Sequence, residues 1–321
     1  MLIEAKDESS AGSRARWRSQ STGRSSLRTA VLQLLQRFGW LKLLLLLLPA
    51  VVLVTIYLII PIIMLVVMSF YKSSMFGIVP DFSLANYRQF TNSSLYAGLL
   101  FKSIRMALTV TAISLLVSYP FAYFLARASG RLKTALLILV MVPFWTSYLI
   151  RTMAWLPILG IKGIVNHSLL ALQIVRDPIE AFLFNEFSVI LTLTHIYLPF
   201  MVVPIFLSLD RLDSRLLEAA GDLGANPWRA FWNVTLPLSM PGVVGGVVMV
   251  FIAAFGAYVT PKLIGGSSGI MFGNVLADQY SGTFNWPFGA VLALIMISVV
   301  LLLLLIASRV SRLDAVFGAR S

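Results

Sequence analysis

The sequence predicts an all-α integral membrane protein with six transmembrane helices. Of its 321 residues 59% are hydrophobic and only 12% are charged, and the mean hydropathy is +0.88. A soluble domain of this size needs more charge to cover its surface. Six uncharged stretches are long enough to cross about 30 Å of hydrocarbon at about 1.5 Å per residue, the third only just. They are Leu43–Tyr71, Met106–Ala126, Thr134–Ile150, Phe187–Leu209, Leu238–Pro261 and Trp286–Ser308.

The membrane domain is expected at 43–310, between two tails. Residues 1–42 are rich in Ser and Arg, and we interpret them as a disordered basic tail near anionic lipid rather than an RNA-binding arm. Residues 311–321 form the second tail. Prolines inside the spans predict kinks, which neighbouring helices can tolerate. These prolines are Pro61, Pro120, Pro143, Pro199 and Pro204.

Basic residues indicate the orientation of the spans. With the N-terminus inside, the inner segments hold 17 of the 25 Lys and Arg residues. Because inner loops carry the excess of Lys and Arg, both termini and the segment 210–237 are predicted to be cytoplasmic. The same clustering between spans explains the net charge of +12 by membrane topology, and we expect no nucleic-acid partner.

A polar insert, Glu218–Pro237, separates two of the uncharged stretches and is typical of two short helices joined at a corner. Gly224 stands where a helix favours a left-handed residue after its C-terminus. Apolar residues at helical spacing predict one apolar face on the first helix. They are Leu216, Leu217, Ala220 and Leu223.

The second helix of the insert has its own start and stop signals. Asn226 is an N-cap followed by Pro227 at the first helical position, and Pro237 is expected to end the helix. Three aromatic residues, expected to anchor the insert, fall on one stripe: Trp228, Phe231 and Trp232. Such helices can lie on lipid, pack on their own protein or enter a partner's groove, and periodicity leaves all three open.

The sequence motif of the insert resembles that of a known family. Glu218-Ala219-Ala220, three residues, Gly224, nine residues and Val234-Thr235-Leu236-Pro237 are similar to the EAA loop of ABC-importer permeases, with valine where isoleucine is commoner. The resemblance implies a type I ABC-importer (MetI-like) permease fold, whose EAA loop docks on a cytoplasmic ATPase. The coupling residues it implies are Glu218, Ala219, Ala220, Gly224, Asn226, Pro227, Trp228, Phe231, Leu236 and Pro237.

The C-terminal third resembles the polyamine-type subgroup of these permeases. The similar stretches are 255–261, 263–266, 273–275 and 285–290. This resemblance implies a polyamine such as putrescine or spermidine as the substrate. The subgroup also includes importers of other small solutes, so an amino-acid derivative, a phosphonate, an opine or a metal ion stays an alternative.

The family resemblance also implies partners and a mechanism. The expected partners are a second, related but different permease chain, two ATPase subunits and an extracytoplasmic binding protein, all at the bacterial inner membrane. The ATPase would bind ATP and Mg²⁺, and this chain would bind no cofactor. Transport would follow alternating access, as closure of the ATPase dimer draws the coupling loops together.

The chain itself shows no catalytic or metal site. It has two His and no Cys, and no Gly-Lys pair from which a P-loop could be built. A membrane-embedded enzyme would need ionisable groups within its spans, and His195 is essentially the only one. An ATP-independent secondary transporter, the other rival, usually has coupling carboxylates in broken midplane helices.

Candidate residues of the substrate pathway are Tyr123, Trp145, Tyr148, His195, Tyr258 and Asp278. Aromatic faces and a rare carboxylate can stabilise an organic cation. Asp278 could alternatively cap the last span, and His195 could make an interhelical hydrogen bond. In the fifth span, Gly242 and Gly246 are spaced for close helix contact, either within the chain or at a dimer seam.

The predicted topology can be tested directly because the chain has no native cysteine. Ala225→Cys should react with a membrane-impermeant thiol reagent only in inverted vesicles, and Ser268→Cys only from the outside. Labelling of both positions from one face would contradict the six-span arrangement.

Overall fold

The structure, a computed structural model, describes residues 39–74 and 77–318. The helices are α1 (Gly39–Val54), α2 (Ile60–Ser69), α3 (Ala85–Asn92), α4 (Ser94–Arg127), α5 (Gly130–Met141), α6 (Tyr148–Met153), α7 (Trp155–Leu159), α8 (Ile164–Ala171), α9 (Glu186–Asp210), α10 (Ser214–Asp222), α11 (Pro227–Ala230), α12 (Leu236–Phe255), α13 (Val259–Ile264), α14 (Phe272–Ser281) and α15 (Trp286–Gly318).

Shorter elements connect these helices. They are π-helical turns at Thr55–Ile59 and Phe231–Thr235, 3-10 turns at Val142–Trp145 and Glu180–Phe182, and an antiparallel hairpin of β1 (Lys72–Ser74) and β2 (Gly77–Val79), in which Ser73 pairs with Ile78. The chain divides into two units, Met1–Met64 and Leu65–Ser321.

The predicted number of membrane spans is confirmed. Six stretches of the described chain are long and apolar enough to cross a membrane. They are Leu47–Ser69, Ser94–Arg127, Tyr148–Ala171, Glu186–Asp210, Pro227–Phe255 and Trp286–Arg309.

The predicted third span, Thr134–Ile150, is wrong as a continuous helix. The α-helix α5 has 12 residues, which at about 1.5 Å per residue is well short of about 30 Å of hydrocarbon. A 3-10 turn containing Pro143 follows, and the extended backbone of Thr146 interrupts the helix before α6. The third stretch that meets the length criterion therefore begins only at Tyr148.

The predicted tails are only partly described. Residues 1–38 of the N-terminal tail lie outside the described residues, and residues 39–42 belong to α1. At the other end, α15 continues the last span through residue 318.

The core of the second unit is built around α9, which packs against both α4 and α12, while α12 also packs against α4. In α9, Leu193, Met201 and Ile205 are fully buried. Met106 of α4 and Val250 of α12 are fully buried as well. In a water-soluble core, burying such an apolar side chain contributes about 1.5–3 kcal/mol to stability. Lipid is as apolar as these side chains, so membrane helices have to be held together by close packing.

The small residues of α12 provide that close packing within the chain. A Cβ added at Gly242 would overlap the carbonyl oxygen of Pro204 and the hydroxyl of Ser208 in α9. A Cβ at Gly246 would lie 2.7 Å from the sulfur of Met201. Both glycines therefore contact α9 of the same chain, so of the two alternatives at these positions the structure shows intrachain packing and not a dimer seam.

This packing gives a matched pair of variants. Gly242→Ala should destabilise the permease by about 1–3 kcal/mol, as overpacking of a core does, whereas Gly245→Ala should be tolerated. The added Cβ at Gly245 meets only Pro204 Cβ, at 3.8 Å. Thermal unfolding of the two purified variants in one detergent measures the difference, and equal melting temperatures would contradict the assigned contact.

Candidate functional site

The predicted corner of the Glu218–Pro237 insert is formed by the C-terminus of α10. The amide of Ala225 donates to the carbonyl of Ala220 at 2.9 Å, and the amide of Gly224 donates to the carbonyl of Gly221 at 2.8 Å. This pair of bonds is the Schellman motif, which needs a left-handed residue after the helix. Gly224 has φ +81°, so the left-handed conformation predicted from the sequence is confirmed.

The second helix of the insert starts as predicted but does not end as predicted. Asn226 Oδ1 accepts a hydrogen bond from the amide of Arg229 at 2.8 Å, and Pro227 is the first helical residue. The expectation that Pro237 ends the helix is wrong. The chain runs from α11 through the π turn Phe231–Thr235 into α12 without a loop, because the wider turn accommodates a residue that cannot donate a backbone hydrogen bond.

Phe231 anchors the insert to the membrane bundle. Its ring makes edge contacts with Tyr119 and Tyr123 of α4, at centroid distances of 5.8 and 6.2 Å. The guanidinium of Arg127 lies 4.3 Å from the centre of the Tyr123 ring. Such aromatic and cation–π contacts each contribute about 0.5–1.5 kcal/mol, so the insert is held at the end of α4.

Several other large apolar residues of this segment are exposed. Trp228 and Trp232 contact Phe231 but are themselves 68% and 50% exposed, and Leu223 at the corner is 90% exposed. The predicted face of α10 is split, because Leu217 turns toward the bundle and Leu216 toward the outside. An outward apolar patch on a short surface segment is typical of an interaction site.

Glu218 lies between that surface and the bundle. Together with Tyr123, Arg127 and Asp210 it lines a cavity of about 450 Å³ beneath α10. Asp210 forms an ion pair with Lys133. Tyr123, predicted as a pathway residue, thus belongs to the surface of the bundle that the insert packs against. Ala219 lies exposed on α10.

A second pocket lies at the other end of α12, which spans 20 residues or about 30 Å. The pocket has a volume of about 490 Å³ and is lined by Tyr258 and Asp278, two of the predicted pathway residues, together with Lys262 and Asn274. The amide of the Asn274 side chain donates to the carbonyl of Tyr258 at 2.7 Å, which ties α14 to the start of α13.

Asp278 does not cap the last span. Asn285 does so, since its Oδ1 accepts from the amide of Phe288 at 3.2 Å. Asp278 lies one turn before the end of α14, and nothing in the described part of the chain forms an ion pair or hydrogen bond with its carboxylate. Its side chain is therefore available to a ligand in the pocket.

The remaining pathway candidates lie outside this pocket. Tyr148 Oη is hydrogen-bonded to Thr260 Oγ1 at 2.8 Å and joins α6 to α13. Trp145 is 82% exposed. His195 is exposed on α9, with its ring 5.6 Å from that of Trp155, and it makes no interhelical hydrogen bond to any residue that the structure describes.

Sequence reasoning missed several residues of both sites. Lys262 and Asn274 reach the second pocket only because α13 and α14 fold against each other, which no local pattern predicts. Arg127 had a signal, since it follows Tyr123 by four residues on one helix and such pairs meet on the helix surface.

Comparison with known proteins identifies the family. Residues 118–313 match the family described as binding-protein-dependent transport system inner membrane component. The chain belongs to this family. It is a membrane permease of the ABC-importer type, and the predicted recognition of that type is confirmed.

Its relatives include proteins named spermidine/putrescine transport system permease protein PotB. The Escherichia coli K12 protein is 40% identical over 232 residues, which cover 72% of this chain and 84% of that protein. The Haemophilus influenzae protein is 38% identical over 231 residues, covering 72% and 80%. An inner membrane ABC transporter permease protein of Escherichia coli, YdcU, is 33% identical over 251 residues, covering 74% and 79%.

The fold has a match among solved structures. A chain of a bacterial ABC transporter involved in the import of the acidic polysaccharide alginate superposes with a TM-score of 0.66 at 18% identity, covering 88% of this permease and 98% of that chain. The match confirms the predicted ABC-importer permease fold.

The corner of the insert gives a second matched pair of variants. Gly224→Ala places a side chain at positive φ, at a cost of about 1 kcal/mol, whereas Gly221→Ala lies in α10 with open space around the added Cβ. If the insert docks on an ATPase in this conformation and the free variant relaxes from it, the affinity of Gly224→Ala should fall about fivefold, since 1.4 kcal/mol is a factor of ten. Pull-down titration of both variants checks this, and equal affinities would show that the corner does not control docking.

Proposed function

We propose that this permease is the membrane subunit of an ATP-driven importer of a polyamine such as putrescine or spermidine. The observation that supports the substrate class most strongly is the 38–41% identity to spermidine/putrescine permeases over 72% of the chain. The site of action is the bacterial inner membrane, with both termini and the insert Glu218–Pro237 in the cytoplasm.

The proposed assembly contains a second, related permease chain, two ATPase subunits and an extracytoplasmic binding protein. ATP and Mg²⁺ are bound by the ATPase subunits. The surface that enters the ATPase is formed by exposed apolar residues of α10 and of the insert, namely Leu216, Leu223 and Trp228. Closure of the ATPase dimer moves the two inserts together, and α12 transmits this motion to the opposite end of the bundle.

The second pocket, which the proposed orientation places on the outer side and which we therefore call the outer pocket, is consistent with a cationic substrate. The exposed ring of Tyr258 offers a face for an ammonium group, an interaction of about 0.5–2 kcal/mol, and the carboxylate of Asp278 offers an ion pair. Lys262 lines the same pocket and repels cations, so the ammonium group is expected on the Asp278 side.

Uptake of labelled polyamine by the wild type tests the substrate class, and the charge of Asp278 tests the role of the pocket. Asp278→Asn keeps the shape of the side chain and should lower the uptake of labelled putrescine or spermidine by vesicles that contain the complete transporter. Asp177→Asn is the matched control, because Asp177 is an exposed carboxylate outside the pocket, and its uptake should equal that of the wild type.

Two outcomes would count against the proposal. Absence of polyamine uptake by the wild-type complex, with ATPase activity intact, would remove polyamines as substrates. Equal uptake by Asp278→Asn and Asp177→Asn would remove the outer pocket from the pathway but would leave the substrate class standing.

A further inference from the structure

The π turn Phe231–Thr235 joins the coupling insert to α12 by a hydrogen bond of unusual span. The amide of Leu236 donates to the carbonyl of Phe231, five residues back, where an α-helix would use the residue four back. The same geometry recurs at Thr55–Ile59, where the amide of Ile60 donates to the carbonyl of Thr55.

Each of these π turns ends two residues before a proline. Pro61 follows the first and Pro237 the second. Because proline has no amide hydrogen and its ring collides with the carbonyl four residues back, a wider turn before it removes the collision. Proline alone does not require the π turn, since other helix-internal prolines lie in regular α-helix. These are Pro120, Pro199, Pro204 and Pro241.

Contacts on both sides of the second π turn restrict its geometry. At the start of the turn, the ring of Phe231 packs against Tyr119 and Tyr123. After the turn, the hydroxyl of Tyr119 is hydrogen-bonded to Ser239 Oγ at 2.9 Å. One tyrosine of α4 therefore contacts the chain both at the start of the turn and just beyond it.

The helix beyond the turn has no rotational freedom of its own. Gly242 and Gly246 face α9 so closely that a Cβ at either position would overlap Pro204, Ser208 or Met201. A π turn is an α-helical turn with one extra residue, and each residue of an α-helix corresponds to about 100° of rotation and about 1.5 Å of rise. The extra residue is what allows Phe231 and the glycines to face their partners at the same time.

We infer that Pro237 is a positioning residue, which sets the rotation of the coupling insert relative to α12 by holding the π turn in place. The inference rests on the proposed role of the insert in docking an ATPase. Without the proline the segment can relax to a regular α-helix. Trp232 would then occupy the place of Phe231 against Tyr123, and the outward surface of the insert would turn by about 100°.

Cross-linking of engineered cysteines measures this rotation, since the native chain contains no cysteine. The pairs Tyr123→Cys with Phe231→Cys, and Tyr123→Cys with Trp232→Cys, are compared in the full transporter with a short bifunctional thiol reagent. The linked peptides are identified by mass spectrometry. With Pro237 present, the 123–231 pair should dominate, and with Pro237→Ala the 123–232 pair should dominate.

A deletion and a matched proline variant complete the experiment. Deleting Asn233 from the Pro237→Ala variant removes the extra residue, so it should restore both the 123–231 cross-link and the ATPase activity stimulated by the binding protein, which Pro237→Ala alone should lose. Pro241→Ala should change neither, because Pro241 lies in regular α-helix.

The outcomes separate the inference from the proposed function. An unchanged 123–231 preference in Pro237→Ala would overturn the role of Pro237, as would a shifted cross-link with full stimulated ATPase activity. If Pro237→Ala fails to accumulate in the membrane, recovery on deleting Asn233 supports the inference and failure to recover overturns it. If no ATPase associates even with the wild type, the cross-link still reports the rotation, and only the proposed docking fails.

Discussion

The close contact between α12 and α9 is the interaction on which the rest of this permease depends. Lipid tails are as apolar as the helix surfaces, so burial from water cannot hold two membrane helices together, and tight packing has to do so. Gly242 and Gly246 bring the backbone of α12 against Pro204 and Met201 of α9. The contact fixes the rotation of α12, and α12 in turn carries a candidate site at each end.

The continuity of α12 with both sites explains how the two could be coupled. On one side, α11 and a π turn lead from the insert into α12 without a loop. On the other, Tyr258 follows α12 by three residues and lines the pocket that contains Asp278. An uninterrupted helix about 30 Å long transmits a displacement at one end to the other, whereas a flexible linker at Pro237 would absorb it.

Local rules predicted the parts of the structure that local interactions decide. Gly224 takes positive φ and Asn226 caps α11, because both effects depend on a few neighbouring backbone groups. Pro237 shows the limit of such rules. Its missing amide was recognised, but whether the helix ends, bends or widens there also depends on contacts with Tyr119 of α4 and with α9, and both helices are distant in sequence.

The candidate pathway was less predictable for the same reason. Tyr258 and Asp278 share a pocket because α13 and α14 fold back on each other, while Tyr123 lies at the opposite end of the bundle. His195 was a candidate for the pathway or for an interhelical hydrogen bond, yet it is exposed on α9 in the single chain. Ionisable residues at membrane depth usually face the interior of a bundle, and in the proposed assembly a second permease chain would complete that interior. Residue patterns within one chain cannot distinguish its own interior from an interior that two chains complete.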